Sequence, residues 1–102
     1  LRKQQNCQMI IVLSHIGYQM NTQVDDCKLV ANTSGIDMVL GGHSHTFLPE
    51  PVLQKNKNGE NVIINQVGFG GINMGRIDVI INQAENNNTM ISCNGIYPHI
   101  IC

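Results

Sequence analysis

The sequence lacks tryptophan, an excess of basic residues and any long apolar run. Six Lys and Arg residues stand against seven Asp and Glu residues, whereas a nucleic-acid-binding domain requires clustered positive charge. The apolar runs at residues 9–13 and 79–81 have the length of strands, and a membrane-spanning helix needs about 20 apolar residues. These absences exclude binding of a nucleic acid polymer by bulk charge and predict no membrane span. With only two Tyr and two Phe residues, we expect one small domain with an aliphatic core.

The start of the chain and its cysteines indicate what kind of protein it comes from. The sequence begins at Leu1 without an initiator Met or a signal-peptide pattern, so we expect a piece of a longer protein. Four cysteines lack the CxxC spacing of zinc or redox pairs. They are expected to be free, mostly buried thiols, or else to form one or two disulfides in an oxidising compartment. They are Cys7, Cys27, Cys93 and Cys102.

The first half of the chain has the pattern of a strand, a helix and a second strand. The apolar run at residues 9–13 predicts a parallel strand covered on both faces. A helix of about three turns is expected between a capping-box-like start at Thr22 and Gly35. Its predicted apolar face holds Val24, Cys27, Val30 and Ala31. Residues 36–40 predict the second strand, which completes a βαβ unit.

The second half predicts further strands joined by turns. Strands at residues 52–54 and 61–66 flank Asn58 and Gly59, a pair typical of hairpin turns. A glycine-rich turn at residues 68–71 leads into a strand at 74–81, and residues 89–102 predict one more short strand. The predicted fold class is therefore α/β with a mixed sheet.

Three histidines follow the two strands of the βαβ unit. His15 comes after the first strand, and His43 and His45 come after the second. The carboxyl ends of parallel strands meet at one edge of a sheet, and in extended backbone His43 and His45 would point to the same side. Imidazole is a ligand for Zn, Mn, Fe, Co or Ni. We therefore predict a metal site at this edge; the alternative is a set of purely structural histidines. His99 has no partner in this pattern, and we expect it to be a surface or structural residue.

Two segments resemble a known family. Residues 12–17 read VLSHIG and residues 35–46 read GIDMVLGGHSHT. They resemble the second half of the catalytic domain of the 5'-nucleotidase family, within the calcineurin-like metallophosphoesterases, and the resemblance runs from about residue 8 to residue 81. It implies that residues 1–102 are part of a four-layer αββα sandwich.

The resemblance also implies a chemistry and a ligand set. A 5'-nucleotidase-like protein would be a phosphoester hydrolase that acts on small nucleotides with two divalent metal ions, which are Zn, Mn, Fe or Co. His15 and His43 would bind one ion, and His45 would bind the other. Relatives of this kind suggest a periplasmic or extracellular location.

Other parts that the resemblance requires are missing from the sequence. An Asp-x-His motif, a bridging Asp and an Asn-His pair do not occur before Ser14. We therefore expect the N-terminal half of the catalytic domain and the nucleotide-binding C-terminal domain to be absent. The chain alone is expected to be inactive, and no catalytic residue is assigned within it.

Two other functions remain open at this stage. One is hydrolysis of cyclic nucleotides or nucleotide sugars by an enzyme of the same superfamily. The other is a non-catalytic module that binds one metal ion through His15, His43 and His45.

Overall fold

The structure, a computed structural model, describes residues 1–81 together with their side chains and the backbone of residues 89–98. One helix and six strands follow one another in this part of the chain. They are β1 (Ile11–Leu13), α1 (Asp26–Ala31), β2 (Met38–Leu40), β3 (Val52–Lys55), β4 (Asn61–Asn65), β5 (Asn73–Ile81) and β6 (Thr89–Pro98). The expectation for His99 lies outside the described residues.

Four of the strands form a mixed sheet in the order β1-β2-β4-β3. Strands β1, β2 and β4 run parallel, and their last residues pair as Leu13 with Leu40 and Leu40 with Asn65. Strand β3 pairs antiparallel with β4, and β5 pairs antiparallel with β6 in a separate sheet. The predicted α/β class, the mixed sheet and the parallel βαβ unit are confirmed.

The core lies between helix α1 and one face of the mixed sheet. Val12, Val39 and Ile64 occupy the same register position on β1, β2 and β4, so their side chains point to the same face. Val30 of the helix packs against Val39 and Ile64, and all three are fully buried. Burial of this small aliphatic cluster holds the helix on the sheet.

Strand β1 is not buried on both faces, which corrects the prediction for residues 9–13. Val12 packs against the core, but Ile11 and Leu13 on the other face are 47% and 80% exposed. The helix covers one face only, and β1 lies at the end of the sheet. An apolar cavity of about 350 Å³, lined by Ile11, Met38 and Val79 among others, separates the second face from β5.

Helix α1 is shorter than predicted and does not start at Thr22. Asp25 is the N-cap residue: its carboxylate accepts hydrogen bonds from the backbone amides of Lys28 and Met20, at 2.8 and 2.9 Å. A side-chain acceptor at the N-cap satisfies a free amide of the first turn, so the helix begins directly after Asp25. Val24 is therefore outside the helix, and its side chain is 53% exposed.

The remaining strand predictions agree with the structure. The hairpin of β3 and β4 turns through Gly59, whose φ of +79° is a conformation that glycine adopts readily. Strand β5 matches the prediction for residues 74–81. Strand β6 lies within the predicted segment 89–102, but its ten residues make it longer than the short strand expected there.

Two further expectations concern the cysteines and the membrane. Cys7 and Cys27 are free thiols of intermediate burial. The side chains of Cys93 and Cys102 lie outside the described residues. No helix in the described part of the chain is long and apolar enough to span a membrane.

The core assignment predicts which truncation on the sheet is costly. Ile64→Ala should lower the free energy of unfolding by about 2 to 5 kcal/mol, because it leaves a cavity under α1. Leu53→Ala removes a side chain that is 62% exposed on β3, and its cost should stay within about 0.5 kcal/mol. Urea denaturation measures both values. Equal losses in the two variants would contradict this location of the core.

Candidate metal centre

The three predicted ligands lie beyond the carboxyl ends of neighbouring parallel strands. Because Leu13, Leu40 and Asn65 share a register position, the loops that follow them leave the sheet at the same edge. His15 is on the loop after β1, and His43 and His45 are on the loop after β2. All three histidines are exposed.

His15 and His43 are in direct contact. Their ring centroids are 5.2 Å apart, and the rings meet edge to face at 67°. The glycine before His43 makes this approach possible, since a Cβ atom on Gly42 would lie 3.0 Å from Nδ1 of His15. The two loops thus bring two imidazoles together at the edge of the sheet.

His45 makes a different contact. Its ring stacks on Phe69 with the centroids 4.9 Å apart, and Phe69 in turn meets Phe47 edge to face at 5.8 Å. Within residues 1–81, no group of three or more His, Cys, Asp or Glu side chains is arranged to hold a metal ion. The structure therefore pairs two of the three predicted ligands and holds the third against an aromatic ring.

The backbone at both loop histidines is left-handed, not extended as the prediction assumed. The φ angles are +78° at His43 and +55° at His45. For residues that carry a Cβ atom, this conformation costs on the order of 1–3 kcal/mol and persists only where the surroundings enforce it. The assumption that the two side chains share one side of an extended segment is therefore wrong.

The side chain of Gln66 forms hydrogen bonds with three residues of this loop. Its Oε1 atom accepts hydrogen bonds from the backbone amide of Thr46 and from Oγ of Ser44, at 2.5 and 3.1 Å, and its Nε2 atom donates to the carbonyl of Gly42 at 3.2 Å. The Ser44 hydroxyl also accepts a 3.0 Å bond from the backbone amide of Tyr18, on the loop after β1. One buried amide therefore connects the histidine-bearing loops through Ser44.

A buried carboxylate lies beneath the same two loops. Asp26 is fully buried, and its Oδ1 atom accepts a hydrogen bond from the Ser14 hydroxyl. Its Oδ2 atom has no hydrogen-bond partner within residues 1–81, and a Cβ atom on Gly41 would lie only 2.2 Å from it. Burial raises the pKa of Asp26; the Ser14 bond lowers it in part, and the charge of Asp25 raises it again.

Three residues of this site were not predicted from the sequence: Gln66, Asp26 and Phe69. Gln66 could have been found, because a polar pair, Asn65 and Gln66, ends an otherwise apolar strand at the predicted edge. Asp26 directly follows Asp25, the capping residue of the helix. Nothing in the sequence indicates that the carboxylate of Asp26 is buried. Phe69 is in a glycine-rich turn that was expected only to connect strands.

The amino-acid sequence of this chain is similar to those of a nucleotide phosphoesterase and a 5'-nucleotidase. The chain is 30% identical over 83 residues to the trifunctional nucleotide phosphoesterase protein YfkN of Bacillus subtilis, a match that covers 81% of this chain and 5% of that protein. It is 30% identical over 87 residues to the snake venom 5'-nucleotidase of Naja atra, with 72% of this chain and 16% of that protein covered.

The resemblance to the 5'-nucleotidase family is confirmed. An apyrase of Aedes aegypti is also similar, with 29% identity over 99 residues, 79% of this chain and 17% of the apyrase. No family model matches the chain. The chain thus spans about one sixth of the apyrase and of the 5'-nucleotidase, and a smaller share of the phosphoesterase.

The two histidines in contact at the edge of the sheet have side chains of a type that binds divalent metal ions. Two exposed imidazoles in contact supply the nitrogen ligands that Zn and related ions accept. Gly42 leaves room beside one of them. A structural zinc site takes four ligands, so the pair by itself is only part of a coordination shell.

The two adjacent aspartates predict opposite dependences on pH. The pKa of Asp26 is raised on folding, so the folded chain keeps this proton longer and the free energy of unfolding should fall as the pH rises from about 4 through the folded-state pKa. Burial also acts to raise the pKa of Asp25, but the bonds from Met20 and Lys28 lower it overall. Its contribution should be present above about pH 4 and be lost as the pH falls through the lowered folded-state value.

Both pH dependences can be tested by urea denaturation, with the midpoints measured below and above about pH 4 in the presence of a chelator. Asp26→Asn should remove the loss of stability above about pH 4, and Asp25→Asn should remove the loss on the acidic side. If both variants keep the pH profile of the parent chain, the two carboxyl groups do not have the environments described.

Proposed function

We propose that this chain forms part of the active site of a metal-dependent phosphoester hydrolase that acts on nucleotides. The observation that carries the proposal is the contact between His15 and His43 beyond the ends of two parallel strands. The similarity to a nucleotide phosphoesterase and a 5'-nucleotidase supports the substrate class.

The histidines have separate roles in this proposal. His15 and His43 bind one divalent ion together, and His45 binds a second. Two bound ions would supply charge to the phosphoryl oxygens and activate a water molecule for in-line displacement. Phe69 holds the ring of His45 through the stacking contact, and Gly42 gives His15 the space to turn toward His43.

The remaining ligands and the nucleoside-binding surface belong, in this proposal, to other parts of a longer protein. The small share of each relative that the chain spans supports this division. We also propose a periplasmic or extracellular location, which the name of the venom relative supports.

A module that binds one ion is the second candidate. One observation favours it: His15 contacts His43, whereas His45 stacks on Phe69 and not on either histidine. The number of ions bound by the full-length protein distinguishes the two candidates. Assays of that protein with nucleoside monophosphates, cyclic nucleotides and nucleotide sugars then separate the possible substrates.

Substitution of the loop histidines by asparagine should remove ions one at a time. Asparagine tolerates a positive φ, so His43→Asn and His45→Asn remove the imidazole while keeping the backbone conformation. In the full-length protein, each variant should lose one of two Zn ions, measured by elemental analysis after dialysis, together with most of the phosphatase activity.

Gly59→Asn is the matched control for these variants. It introduces the same side chain at a φ of +79°, into open space at the turn between β3 and β4. Zinc content and activity should not change. Full zinc content in His43→Asn would overturn the ligand assignment, and one bound ion in the parent protein would favour the single-ion module.

A further inference from the structure

We propose that Gln66 is the positioning residue of the histidine loop, residues 41–46. Its buried side chain holds His43 and His45 in the left-handed conformation that presents their rings. The inference rests on the proposed function for the identity of the ligands, but the conformational role of Gln66 can be tested without a metal ion.

The bonds of Gln66 alternate with the histidines along the loop. They reach the carbonyl of Gly42, the hydroxyl of Ser44 and the amide of Thr46. Each histidine therefore has an anchored residue on both sides. A single side chain that bonds every second residue fixes the course of the backbone between them, and this is the constraint that two successive positive φ angles need.

Gln66 is itself held firmly. Its side chain is shielded from solvent, and its backbone amide donates a 2.9 Å bond to Oδ1 of Asn65. Its carbonyl accepts a 3.0 Å bond from the amide of Leu48, on the far side of the loop. Truncation of Gln66 would leave three half-buried groups of the loop without this partner: the carbonyl of Gly42, the hydroxyl of Ser44 and the amide of Thr46.

The network also sets the position of His43 relative to His15. Ser44, which Gln66 anchors, accepts a bond from the amide of Tyr18, three residues after His15. A change at Gln66 should therefore disturb the ring contact between the histidines as well as the φ angles. In metalloproteins, loss of a group that orients a ligand typically weakens metal affinity roughly 10- to 100-fold.

Asn56 provides a matched control for a purely structural effect. It is also a buried amide with three hydrogen bonds: Oδ1 accepts from the amides of Asn58 and Glu60, and Nδ2 lies 3.4 Å from Oε1 of Glu60. Asn56 closes the turn that precedes β4, whereas Gln66 directly follows the last residue of β4. The two amides therefore lie at opposite ends of the same strand. Truncation there should lower stability without changing the histidine loop.

The first experiment compares the full 102-residue chain with Gln66→Ala and Asn56→Ala by NMR, without metal. A positive φ brings the amide proton close to the Hα of the same residue and gives a strong cross-peak between them. We expect this cross-peak to weaken at His43 and His45 in Gln66→Ala and to persist in Asn56→Ala. Unchanged cross-peaks in Gln66→Ala would overturn the proposal.

The second experiment titrates the full-length protein and the same two variants of it with Co²⁺ and records the visible spectrum, which reports ligand geometry. Gln66→Ala should bind Co²⁺ roughly 10- to 100-fold more weakly than the parent and with an altered spectrum, and Asn56→Ala should match the parent. If the full-length parent protein binds no Co²⁺, the proposed function loses its support, while the NMR comparison still decides the role of Gln66.

Ser44→Ala covers the case in which Gln66→Ala does not fold. It removes the hydroxyl that bonds Gln66, Tyr18 and the hydroxyl of Thr46, and it keeps the other two partners of Gln66. The cross-peaks of His43 and His45 should weaken in the same direction but by less. Parent-like cross-peaks in a folded Ser44→Ala variant would overturn the proposal.

Discussion

The parallel pairing of β1, β2 and β4 is the constraint on which the rest of the structure depends. The pairing places Val12, Val39 and Ile64 on one face, where α1 covers them. It also makes the three strands end at the same level, so the loops that follow them meet. The hydrophobic core and the histidine pair are thus two consequences of one register, and a slip by one residue would reverse every side chain between the faces.

Much of the fold could be predicted from the sequence because the patterns were local. Apolar runs and the Asn58–Gly59 turn identified the strands, and the order strand, helix, strand gave the parallel unit. The burial of β1 was not predictable in this way, since it depends on what covers the second face. The helix start was predicted at Thr22, whereas the structure caps the helix with Asp25, whose carboxylate accepts hydrogen bonds from the amides of Met20 and Lys28.

The candidate site was predictable only in part, for a similar reason. Strand order brings His15 and His43 to one edge, and this follows from topology. The left-handed backbone at His43 and His45 depends on tertiary hydrogen bonds from Gln66, about twenty residues further along the chain. The stacking of His45 on Phe69 likewise needs a turn whose glycines place an aromatic ring beside the loop. Local periodicity carries no information on either contact.

The close approach of Gly41 to Asp26 restricts how the two positions can change during evolution. With a full carboxylate at 26, even the methyl group of alanine has no room at 41. The same Cβ atom would lie 3.2 Å from Nε2 of Gln66, so a larger residue at 41 requires both of these side chains to move. The residue at 41 is therefore coupled to the packing of both neighbouring polar side chains and cannot change independently of them.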